Sequence, residues 1–170
     1  MEIKKIFIDM DGVLADFDMG ALELCNFHNL SQNEERPEGF DDDLWAHIKT
    51  VDHFYYKLKP IEGAVEMFKE IYAKYGNKVE ILTGIPKPER GIVTSEADKK
   101  QWVKEYLSET VVVNTVARKD KIKHCEGNDC ILIDDYQKNI NEWENAGGTG
   151  IFFKNPKQAM ELLRDIEKNL

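Results

Sequence analysis

Asp9 and Asp11 stand one residue apart where the apolar run IFI gives way to DMDGVLADF. Carboxylates at i and i+2, at the point where a strand opens into a loop, can both turn toward one pocket. Clustering them there unpaired costs several kcal/mol per buried charge, so the pocket must hold a cation. Oxygen-only ligands favour a hard divalent ion, Mg2+, which keeps waters and shares its shell with a phosphate. The metal set expected is Asp9, Asp11 and Asp134, with a backbone carbonyl among its oxygens.

A carboxylate can also be a nucleophile, splitting a hard phosphate displacement into two easier steps through an aspartyl phosphate. Asp9 takes that part. Asp11 is placed to protonate the leaving oxygen and then to deprotonate the attacking water. Three further motifs complete the set: Thr83 and Gly84 in EILTG, Lys121 in RKDKIK, and Asp134 with Asp135 in ILIDDY. Thr83 and Lys121 would bind phosphoryl oxygens. Alone, Thr83 reads as an ordinary strand residue and Lys121 as a surface lysine. Lys119 and Lys123 stand close enough in sequence to compete for the same part.

These residues need strand ends to hold them. Short apolar runs at Ile3 to Ile8, Lys78 to Leu82, Thr110 to Val113, Cys130 to Ile133 and Thr149 to Phe153 alternate with helical patterns. The helices predicted run from Glu62 to Tyr75, Ser95 to Leu107, Gln137 to Asn145 and Pro156 to about Glu167. That alternation is the mark of a parallel sheet covered by helices, so the class expected is α/β, doubly wound, with about five strands. In such sheets ligands bind beyond the carboxyl ends of the strands, which is where the motifs fall. Residues 17–59 interrupt the rhythm and carry aromatics at Phe27, Phe40, Trp45, Phe54, Tyr55 and Tyr56. They read as a small helical cap inserted into a core of residues 1–16 and 60–170. Residues 84–94, with two prolines and Gly91, read as a surface loop.

Composition narrows the partners. The chain has 170 residues, 42% hydrophobic and 32% charged, which is ordinary for a globular fold. A net charge of −9 works against tight binding to polymeric nucleic acid, though not against a small anion at a local lysine. Cys25, Cys125 and Cys130 are odd in number, and the first apolar run is too short for a signal peptide, so a reducing cytoplasm is expected. No segment has the length of a membrane span. His124, Cys125 and Cys130 lack zinc spacing, and Cys130 suits a buried strand. DMDG does not open a calcium loop, since the later ligands and the preceding helix are missing.

In order, DMDGVLADF, ILTG, the lysine of RKDKIK and ILIDDY resemble the four motifs of the haloacid dehalogenase (HAD) phosphatase superfamily. VLADF and YKLKPIEGAVEMF are similar to its 5′(3′)-deoxyribonucleotidase group. The resemblance implies an Mg2+-dependent phosphomonoesterase acting on a small phosphate ester, a deoxynucleoside monophosphate, as a monomer or homodimer. It further implies that Phe17, Trp45 and Phe54 stack on the base and that Lys99, in EADKKQWV, is a substrate-side lysine. On helical pattern alone, Lys99 reads as solvated. The resemblance also implies that Asp135 supports the metal shell; Gly84 stands where the group more often carries Ser, so a phosphate contact there would come from its backbone N–H. A sugar phosphate substrate is the alternative within this chemistry. A phospho-accepting receiver module is the alternative outside it, but receivers lack an Asp two residues after the phosphorylated one.

Overall fold

The computed structural model describes residues 2–170. The chain runs through β1 (Lys5–Ile8), α1 (Phe17–Cys25), α2 (Phe40–Lys49), α3 (Ala64–Tyr75), β2 (Val79–Gly84), α4 (Ser95–Tyr106), β3 (Val112–Val116), β4 (Cys130–Asp134), α5 (Gln137–Asn145), β5 (Thr149–Phe152) and α6 (Pro156–Asn169). The strands form one sheet in the order β3-β2-β1-β4-β5, with every neighbouring pair parallel. This is the doubly wound α/β fold that the alternating pattern predicts. The chain builds outward from β1 to β3, then returns to lay β4 against the other side of β1. Order reverses beside β1, so a crevice opens at the carboxyl ends of β1 and β4.

Side chains alternate across the sheet with the two-residue strand period. Ile6, Ile8, Ile81, Ile131 and Ile133 face the larger core with Phe68 of α3, Trp102 of α4 and Leu163 of α6. Phe7, Leu82, Cys130 and Leu132 face the other way, under Ile140 and Trp143 of α5. Buried on both faces, the central strands read as unbroken apolar runs.

The expected strand Thr110 to Val113 lies two to three residues further on, at Val112–Val116. The Ser108 hydroxyl accepts from Thr110 N at 3.0 Å and Val111 N at 3.1 Å, holding those residues in a turn. As a sheet edge, β3 can carry Asn114 and Thr115, so apolarity does not mark its span. Helix α3 starts at Ala64, not Glu62, because Gly63 takes a left-handed φ of 80° as its N-cap.

Residues 17–59 hold α1, α2 and a short 3-10 turn at Tyr55–Lys57. The chain enters and leaves through a local backbone pairing: Asp16 N donates to Lys59 O and Ile61 N to Leu14 O, both at 2.8 Å. Asp16 also caps α1, its carboxylate accepting from Met19 N at 3.1 Å. Phe27, Leu44, Ile48, Phe54 and Tyr55 are buried against the same core as the sheet. Residues 84–94 form a connection with one 3-10 turn, Pro88–Arg90. Among the described residues, no helix is long and apolar enough to cross a membrane.

Candidate active site

Asp9 extends the β1 ladder by one bond, its N donating to Ile133 O at 2.9 Å. Because Ile8 pairs with Ile133, the residues that follow them, Asp9 and Asp134, emerge side by side at the switch point. Past Asp9 the chain turns sharply, with Met10 O accepting from Val13, Leu14 and Ala15 N. Gly12 makes that turn possible with φ +82°, and a Cβ there would lie 2.0 Å from Asp135 Oδ2. Two loops bearing carboxylates therefore approach backbone to side chain, which only glycine allows.

Lys121 lies in consecutive 3-10 turns, Arg118–His124, and reaches back into this crevice. Its Nζ donates to Asp9 Oδ1 at 2.9 Å and to Asp134 Oδ2 at 2.8 Å. Burial pushes its ammonium down, but attraction to Asp134 and Asp9 outweighs that and leaves it above the usual lysine value. Asp134 is nevertheless pushed up to about 6, by burial first and by the charge of Asp9 second. Burial and the charges of Asp9 and Asp134 hold Asp135 well above the usual carboxylate range. One ammonium among three carboxylates cannot neutralise them all.

The three, Asp9, Asp134 and Asp135, offer oxygens that all lie within 4.8 Å of one another. Asp135 Oδ1 is buried without a hydrogen-bond partner. An all-oxygen, over-charged set with an orphaned buried oxygen fits a hard divalent cation. Two further donors hold Asp134, Tyr136 N to its Oδ1 at 2.9 Å and Asn139 Nδ2 to its Oδ2 at 3.1 Å. Arg118 Nη1 in turn donates to Asn139 Oδ1 at 2.9 Å.

Asp11 belongs to a different neighbourhood. Its side chain is outside the three-carboxylate cluster, with Oδ2 accepting from Lys99 Nζ at 2.8 Å and Oδ1 buried without a partner. Lys99 is wholly buried, which corrects the solvated reading that its helical position suggests. Its three donors are all used, on Asp11, on Thr83 Oγ1 at 2.9 Å and on Gly84 O at 2.7 Å, and the ammonium sits 4.4 Å from the Tyr55 ring centre. A buried lysine is tolerable only with such a full set of partners.

A cavity of about 350 Å³ opens onto this group. Asp9, Asp11, Gly84, Lys121 and Asp135 line it, as do Phe17, Trp45 and Tyr55 from residues 17–59. Thr83 is fully buried, and neither it nor Lys99 is part of the lining: both stand behind Asp11 and Gly84. Phe54 is also set back, buried and edge-on to Phe17 at 5.5 Å between ring centres. Lys119 and Lys123 are exposed, which leaves Lys121 as the lysine of RKDKIK that faces the carboxylates.

Tyr55, Arg118 and Asn139 line the cavity too, and sequence reasoning missed them. Asn139 left a trace: it shares the buried face of α5 with Ile140 and Trp143, where an amide is out of place without a partner. Nothing in the pattern of Phe54-Tyr55 tells which ring faces the cavity.

Comparison with known proteins gives a family for the chain and a second instance of its fold. A family model described as "5′ nucleotidase, deoxy (Pyrimidine), cytosolic type C protein" matches residues 2–164. The human mitochondrial 5′(3′)-deoxyribonucleotidase is 26% identical over 132 residues, which cover 69% of this chain and 57% of that protein. The crystal structure of a hydrolase from Streptococcus pneumoniae TIGR4 shares the fold, with a TM-score of 0.51 at 12% identity, covering 96% of this chain and 100% of that one.

Proposed function

The chain belongs to the family of deoxy (pyrimidine) 5′ nucleotidases, cytosolic type C, and from that premise we propose that it is an Mg2+-dependent phosphomonoesterase that dephosphorylates deoxynucleoside monophosphates in the cytoplasm. The observation that carries the reading is the separation of two neighbouring carboxylates into different environments. Asp9 shares Lys121 with Asp134, whereas Asp11 rests on Lys99. Two carboxylates with two surroundings suit two roles, nucleophile and proton carrier.

In this mechanism an Asp9 carboxylate oxygen attacks phosphorus, and the bond from phosphorus to the ester oxygen breaks. Asp11 delivers its proton to the departing oxygen through Oδ1, the atom that Lys99 leaves free. Water then attacks the aspartyl phosphate while Asp11 takes its proton, and phosphate leaves with Asp9 restored. Lys121 and the backbone at Gly84 hold phosphoryl oxygens, and Thr83, set behind Gly84, accepts from Lys99 and so helps to hold that lysine under Asp11. Mg2+ held by Asp9 and Asp134, with Asp135 in support, would offset the charge on those oxygens. Phe17, Trp45 and Tyr55 offer ring faces and edges to a base.

Phosphate release from deoxynucleotides, ribonucleotides, sugar phosphates and an aryl phosphate, with Mg2+ and with chelator, tests the proposal. Mg2+-dependent release with deoxynucleotides preferred is expected. Release from sugar phosphates alone would overturn the substrate, and release that survives chelation would overturn the metal.

A further inference from the structure

Between α1 and α2, residues 26–39 form neither helix nor strand, yet they are firmly braced within themselves. Arg36 donates to Leu30 O at 2.7 Å, to Asn29 Oδ1 at 3.3 Å and to Asp41 at 2.7 Å, with its guanidinium 5.1 Å from the Phe40 ring centre. Asn29 Nδ2 donates to Asp18 at 2.7 Å, which ties the loop to α1. Asn29, Gln32 and Arg36 all line the cavity. A long connection that is internally packed and faces a cavity has the form of a lid.

One exposed side chain joins this loop to the opposite wall. Asn33 Nδ2 donates to Asp135 O at 2.9 Å, and its Oδ1 accepts from Gln137 N at 2.8 Å. Only this orientation of the amide satisfies both neighbours. Helix α5 has no side-chain N-cap of its own, since Tyr136 holds that position, so Asn33 caps it from across the cavity.

We propose that Asn33 is the latch of a substrate lid formed by residues 26–39, a positioning residue that closes the loop over the substrate by gripping the backbone of the carboxylate loop at residues 135 and 137. The kinetic part of the test rests on the nucleotidase reading; the exchange part does not. A small ester needs only the carboxylate and lysine group, whereas a nucleotide must also be covered.

The test compares wild type, Asn33→Ala and Asn33→Asp on deoxyuridine 5′-monophosphate and on para-nitrophenyl phosphate, together with amide hydrogen exchange. Asn33→Ala should raise KM for the nucleotide by about tenfold, the scale of two lost hydrogen bonds. It should leave kcat/KM for the aryl ester within about twofold and speed exchange across residues 26–39. Asn33→Asp keeps the acceptor for Gln137 N but turns an oxygen toward the Asp135 carbonyl, so it should behave like Asn33→Ala. Full rescue by Asp would reduce Asn33 to a helix cap and overturn the latch. Equal losses on both esters would overturn it as well, by making Asn33 a support of the carboxylate loop, and so would unchanged exchange in residues 26–39. If wild type cleaves the aryl ester but no nucleotide, the nucleotidase reading fails while the exchange result still decides the latch.

Discussion

The cavity has two walls of different make. The wall with Asp9, Asp11, Lys121 and Asp135 is set at the ends of β1 and β4, whose register places Asp9 and the buried Asp134 side by side. The wall with Phe17, Trp45 and Tyr55 comes from helices and turns of residues 17–59, where neighbouring buried aromatics take different parts: Tyr55 borders the cavity and Phe54 lies behind it. On the first wall position follows from the strand period. On the second it follows from packing, which many sequences could satisfy in other ways.

The sharpest way to separate the walls is to disable one of them. Asp9→Asn removes the proposed nucleophile and should lower kcat by at least about a thousandfold on every ester, with the fold retained by circular dichroism. A variant that still turns over would move the chemistry off this wall. On the other wall, Phe54→Ala should destabilise the protein by about 3–5 kcal/mol in denaturant unfolding, the usual cost of emptying a large aromatic site in a core. Trp45→Ala should cost far less stability, because Trp45 is only partly buried. Instead it should raise KM for a nucleotide about fivefold while sparing an aryl ester, given about 1 kcal/mol for a lost aromatic contact. Were the two variants to exchange these effects, the assignment of cavity and core within residues 17–59 would be wrong.

The carboxylate wall also predicts a pH dependence that the aromatic wall lacks. Burial and the charge of Asp9 raise Asp134 to about 6 in the metal-free fold, whereas in the unfolded chain it titrates near the ordinary value of about 4. Its contribution to stability is therefore full below the unfolded value and is lost as pH rises through about 6. A bound divalent cation needs the ionised form and makes good that loss. The rise in Tm on adding Mg2+ should thus be clearly larger at pH 7.5 than at pH 5.5 in calorimetry. An equal rise at both would mean that the cation binds away from Asp134.

The same contrast explains what could be read in advance. The strands β1, β2 and β4 are buried on both faces, so their apolar runs mark them, and the polar residues that end the runs stand out as site candidates. Edge strand β3, with Asn114 and Thr115 inside it, lies two to three residues from its expected place. Lys99 escapes a reading of its helical pattern because its environment is assembled from three distant segments, bearing Asp11, Thr83 with Gly84, and Tyr55. No local pattern encodes such a convergence. Asn33 is hidden for the same reason: its partners at residues 135 and 137 lie about a hundred positions along the chain.

The smallest expected effect probes Gly84, the glycine that follows Thr83 at the end of β2. At Gly84, an added Cβ would meet nothing nearer than Arg118 Cα at 3.6 Å, an ordinary contact, and the residue shows no left-handed φ. Its carbonyl would stay on Lys99, since the substitution leaves the backbone in place. Gly84→Ser should therefore fold with an unchanged Tm and add a hydroxyl at the lining of the cavity beside Arg118. A single neutral hydrogen bond is worth about 0.5–1.5 kcal/mol, so inhibition by inorganic phosphate should tighten by roughly two- to tenfold. Weaker inhibition at the same Tm would mean that the side chain at 84 crowds the phosphate. In that case glycine is there for close approach of the backbone, and this wall, like the aromatic one, is shaped by packing as well as by strand register.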